Sequence, residues 1–316
     1  MNTTNTQQPV VARKRATADT VSRVLALRRA QSAKDVATAL GLPIGTVKAI
    51  CSRAGLTRSN PRLREFFQLP EPVASHCTEV ATPTALPEQV TVTGDKDVDA
   101  MLWLRRVVET GDADLIAKAL EAAKRITTPA KELELRYGRH LMATSNSSFV
   151  AAFGSMNFAN LEGHAKSVIE RKRKQRDAMA RMGGTIEAVF AITPQEQFCM
   201  DTLALVPTVE QPWKKPHPDL ACAAFEQQAD LAPHTLDDCL YELKFWSDLY
   251  WLRSAFPDSG DHWPEVNART DYLLWCMGRI KPKTRTEAKD VLAYLVQEDG
   301  LNWKEADTIL ENLIGL

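Results

Sequence analysis

The sequence predicts a mainly α-helical protein: a small basic tri-helical unit, then a Pro-rich linker, then a larger helical body. Three observations carry this expectation. Apolar residues recur at helical spacing through most of the chain, strand-like alternation is scarce, and positive charge gathers near the N-terminal end. A length of 316 residues allows two domains of ordinary size, and a composition of 44% apolar and 25% charged residues is that of a globular protein with a sizeable core.

The basic unit comes first, over residues 15–66. TADTVSRVLALRRAQ has the pattern of a supporting helix, and Ser32 with Asp35 three residues on has the form of a capping box opening the next one. The segment AKDVATALGLPIGTVKAICS, residues 33–52, then supplies what two crossing helices with a tight turn require. Ala37 is the small residue where the helices cross, and Gly41 is able to adopt positive φ at the turn. Val36, Leu40, Leu42, Val47 and Ile50 fall where side chains must face a small core. This is the pattern of a helix-turn-helix.

The stretch LGLPIGTVKAICSRAG resembles the DNA-reading part of sigma-factor region four and of related tri-helical regulators and resolvases. The resemblance covers about forty residues. It implies a second helix lying in the major groove, which makes Ile44, Gly45, Thr46, Lys48, Ala49, Ser52 and Arg53 the candidates for contact with double-stranded DNA. Lys48 and Arg53 have the reach for base edges or phosphates, and Thr46 and Ser52 suit phosphate or sugar oxygens. The sequence departs from many such matches at Ala49, Ile50 and Cys51, where a basic or serine-rich continuation is common, so no base preference is assigned. Arg13, Lys14 and Arg15 have the form of a basic arm for the adjacent groove, though an unstructured basic tail fits them equally.

Residues 67–95 are expected to be a flexible linker, with Pro70, Pro72, Pro83 and Pro87 spaced among Thr, Val and Glu and no sustained periodicity. The body spans 96–316, with a possible subdivision near 183–193 or 206–218. Helices are predicted over Val98–Val108 and Leu115–Ala123, after Pro129, and after the capping-box patterns at Thr193–Glu196 and Thr284–Glu287. TIEAVFAI, residues 185–192, is the main strand candidate. The basic run Glu170–Arg176 spreads its five cations around a helix, the pattern of a solvated helix more than of a second phosphate surface. Nine of the 22 aromatic residues lie between Tyr241 and Trp275, and the helix predicted over 235–255 is apolar on more than one face, as in a core or an oligomer interface.

Charge sharpens the division. Residues 1–64 hold twelve Lys or Arg against two acids, a net +10, whereas the rest carries −11. A basic module on an acidic body suggests a polyanion partner for the module. The six cysteines and six histidines are scattered without metal-ligand spacing, so neither a metal nor a cofactor is expected, and the cysteine usage fits a reducing cytoplasm. No apolar run approaches a membrane span, and the start shows no signal-peptide pattern. Phosphate-binding glycine loops, nucleophile elbows and zinc-binding His-Glu helices are all missing, so the chain is not expected to be an enzyme. The reading favoured is a sequence-specific DNA-binding regulator that forms homo-oligomers or meets a protein partner through its body. The alternatives are a DNA packaging, partition or replication accessory and, more weakly, a recombinase or nuclease with a helix-turn-helix anchor.

Overall fold

The computed structural model describes residues 16–31, 33–54, 59–74, 85–145, 147–210, 214–257 and 259–315. The protein is mainly helical. Among the described residues no helix is long and apolar enough to cross a membrane. Contacts divide the chain into two units, one of residues 1–69, 192–248 and 261–316, the other of 70–191 and 249–260.

The first unit begins with three short helices, α1 (Ala18–Ala30), α2 (Ala33–Leu40) and α3 (Ile44–Arg53), which enclose Val24, Val36, Ala37, Val47, Ile50 and Cys51. The next helix, α4 (Pro61–Phe66), belongs to a different core. Asn60 caps it by accepting from the N–H groups of Arg62 and Leu63, and its side-chain amide donates to the carbonyls of Asp230 and Ala232, both at 2.9 Å. Just beyond this helix Phe67 is buried against the rings of Phe198, Phe245 and Trp246.

That aromatic core is built by α11 (Pro194–Leu203), α12 (Pro218–Glu226), α13 (Leu236–Arg253) and α14 (Pro264–Met277), with α15 (Arg285–Gln297) and α16 (Ala306–Ile314) completing the unit. A two-stranded antiparallel hairpin, β1 (Thr208–Glu210) and β2 (Lys214–Pro216), pairs Val209 with Lys215. At the centre Arg269 and Glu242 are both fully buried and joined by two hydrogen bonds, 2.7 and 2.8 Å. The guanidinium also donates to the Leu231 carbonyl and lies over the rings of Phe67, Phe198, Phe225 and Tyr272. Desolvation opposes the Arg269 charge, and the Glu242 carboxylate beside it outweighs that cost and holds the group protonated.

The second unit contains α5 (Lys96–Glu109), α6 (Ala113–Ala123), α7 (Ala130–Ser145), α8 (Ser148–Ser155), α9 (Leu161–Arg181) and α10 (Ile186–Phe190). Its core gathers Val98, Met101, Leu104, Val108, Ile116 and Val168. The linker expected over 67–95 has little regular structure where it is described, yet it is not free. Val73 N–H donates to the Ala180 carbonyl, Arg181 donates to the Pro70 carbonyl, and Trp103 Nε1 donates to the Pro87 carbonyl. Asp99 accepts from the N–H groups of Val92, Thr93 and Gly94, which fixes the approach to α5.

The strand expected at Thr185–Ile192 is instead the helix α10. Thr185 accepts from the Ala188 N–H and so caps a single turn. Hydrogen bonding by the threonine side chain therefore decided the segment over its β-branched composition. At Thr193 the capping box forms with both bonds, whereas at Thr284 the threonine caps α15 but Glu287 accepts from the Lys283 and Leu236 N–H groups.

Candidate nucleic-acid interface

The turn between α2 and α3 is built as the sequence requires. Gly41 has φ +61°, Leu42 N–H donates back to the Ala37 carbonyl at 2.9 Å and Gly41 N–H to that of Thr38. This six-to-one bond is the helix-ending motif that favours glycine, because an L side chain in that conformation crowds its own carbonyl. Leu42 then packs on the core, and Pro43 starts α3 at once.

Rotation of about 100° per residue sorts the ten residues of α3 into two arcs. Val47, Ile50 and Cys51 are buried against α1 and α2, and Ile44, Gly45, Lys48, Ser52 and Arg53 are exposed, with Thr46 and Ala49 at the margins. The structure therefore brings all seven α3 candidates together outside the buried arc. Ile44, Lys48 and Ser52 stand four residues apart and make a continuous outer stripe, with Gly45 beside it. Burial raises the Cys51 thiol above its ordinary range despite the nearby Arg28, so this cysteine is a packing residue.

The N-terminus of α3 adds a second feature. Pro43 supplies no side-chain cap, and the first helical bonds are those of Thr46 and Val47 to the Pro43 carbonyl. Ile44 and Gly45, both exposed, precede them at the end of the helix where the dipole favours an anion.

The two cations of α3 differ in their surroundings. Lys48 is on the outer stripe, whereas Arg53, at the C-terminal end, opens on a cleft of about 870 Å³ also lined by Ser22, Leu25, Arg62, Glu226 and Asp230. Two further positive charges counted in the basic unit are committed elsewhere. Arg62 pairs with Asp230 at 2.5 Å, and Arg64 bonds Asp238 at 3.1 Å, pairs with Asp237 and lies over the Tyr241 ring. Sequence reasoning missed these pairs because their partners lie about 170 residues away and no local spacing signals them. Arg13, Lys14, Arg15 and the Ser32 cap lie outside the described residues.

The other cationic run is mostly engaged. In α9, Arg171 pairs with Glu109, Arg173 with Glu170, and Lys174 lies 5.4 Å from the centre of the Trp251 ring. Of the aromatic cluster of residues 241–275, Phe245, Trp246, Phe256 and Tyr272 are buried, whereas Trp251 and Trp263 are exposed. Among the described residues no cluster of His, Cys, Asp and Glu is arranged to hold a metal ion. No protein-family model, curated protein or solved structure matches the chain.

Proposed function

We propose that the tri-helical unit of α1–α3 binds double-stranded DNA with α3 in the major groove, and that the chain is a sequence-specific DNA-binding regulator acting in the cytoplasm as a homo-oligomer. The observation that carries this reading is the division of α3. Its apolar arc is consumed by α1 and α2, while Ile44, Gly45, Lys48 and Ser52 remain outward on a helix of the right width for the groove. Lys48 on this stripe and the uncapped N-terminus of α3 both suit a phosphate. Lys48 and the Ile44 and Gly45 N–H groups supply phosphate contacts, and Ile44 offers an apolar contact of the kind that reads a thymine methyl.

Selection of duplexes from a random pool with the full-length protein tests the proposal. Enrichment of one motif, abolished by changes in the outer stripe, is the expected result. A pool that stays random while the protein remains folded would contradict it.

A further inference from the structure

Helices α7 and α8 form a hairpin whose contact face is made of small groups. A Cβ on Gly138 would come within 3.1 Å of Ser155 Oγ, and one on Gly154 within 2.8 Å of a Leu141 methyl. With so thin an inner face, the bulky side chains of α8 lie outside it. Among the described residues of α8 only Ala151 is buried, whereas Phe149 and Phe153 are 70% and 59% exposed with ring centres 4.3 Å apart. Met156, just after the helix, is 63% exposed, and Leu135 and Met142 of α7 are exposed as well. The segment Leu141–Leu161 contains no Asp, Glu, Lys or Arg, the longest such stretch in a chain that is one quarter charged.

We infer that this hairpin is the surface through which two copies of the chain associate. At 150–250 Å² per aromatic side chain, and somewhat less for Met, the exposed Met142, Phe149, Phe153 and Met156 of this segment offer on the order of 400 Å² of apolar surface. A standard interface buries about 800 Å² per partner, of which about 56–65% is apolar, so the patch approaches the apolar area that one half of a stable dimer needs. The lack of charge selects the occupant. A two-fold interface sets one patch against itself, so that residues near the axis meet their own copies, where like charges would repel, and an uncharged segment meets itself without that cost. Nucleic acid or an anionic membrane would call for Lys and Arg around the rings, and the segment has none.

The inference rests on the DNA-binding reading only for its use, since paired modules raise specificity; the association itself is measured without DNA. Sedimentation velocity of the full chain at concentrations up to about 100 µM, beside Phe149→Ser/Phe153→Ser with its helicity checked by circular dichroism, is the test. The wild type should dimerise, and the double variant should dissociate with a constant at least about 100-fold higher at unchanged helicity. If the double variant loses helicity, Phe153→Lys, which sets like charges across the two-fold, should give the same monomer. A wild type that stays monomeric overturns the inference, including one that floats with anionic phosphatidylserine vesicles, and so does a dimer that both variants leave intact. Failure of the DNA reading would appear in the duplex selection and leave sedimentation unchanged.

Discussion

Arg269 shows how much of the first unit depends on one buried charge. Its guanidinium is removed from water together with Glu242, is bonded to it twice, and is walled by four aromatic rings. Such a pair is weak evidence for net stability, but breaking it leaves a bare charge in a low-dielectric core. Arg269→Met should therefore lower the unfolding free energy by about 3–5 kcal/mol in chemical denaturation, and Arg269→Met/Glu242→Leu should recover most of the loss. Equal destabilisation by the single and double changes would mean that packing of the long side chain, and not its charge, is what the core requires. Neither residue was legible as a pair in the sequence. They lie on different helices 27 positions apart, and a Glu in DDCLYELKFW looks like any solvated helix acid until the helix is found to be covered on that side as well.

At the scale of elements, the helices that carry their own signals were legible. Gly41, Ala37 and the five apolar positions around them occupy the turn and core that their spacing implied, and Thr193 forms its capping box. These features need only residues within one or two turns. Gly41 lends itself to a direct check, because a Cβ there would meet nothing within 4 Å and only the backbone conformation is at stake. Gly41→Ala should cost about 1–2 kcal/mol, and Gly41→Asn distinctly less, since Asn tolerates the left-handed region. Hydrogen exchange of the α2 and α3 amides measures both, and equal protection in all three proteins would show that the turn carries no such requirement. The sequence misled where a short apolar run had two uses. TIEAVFAI alternates well enough for a strand, but among the described residues no strand pairs with it, and a threonine cap closes it as one helical turn.

At the scale of the whole molecule, charge segregation was legible, but its boundary was not. The net +10 of residues 1–64 includes Arg62 and Arg64, which the fold assigns to acids of the C-terminal segments. Likewise α4 and Phe67 join an aromatic core formed mainly by residues beyond position 190, so the chain's division by contacts is discontinuous where composition suggested three consecutive blocks. Long-range pairing of this kind leaves no periodic trace in a single sequence. The aromatic helix α13, whose surplus apolar faces suggested a core or an oligomer contact, buries Leu236, Leu243, Phe245, Trp246, Leu249 and Leu252 and leaves Trp251 exposed. The surface proposed for a second copy is the charge-free segment Leu141–Leu161, which runs from the end of α7 through α8. The central proposal is that the outer stripe of α3 meets DNA, and Lys48 is the α3 cation that stands clear of the cleft beside Arg53. The most direct measurement is the affinity of full-length protein for its selected duplex across a salt series, wild type against Lys48→Ala. Phosphate contact by Lys48 predicts weaker binding by the variant and a log–log salt slope shallower by about one unit; identical affinities and slopes would contradict it.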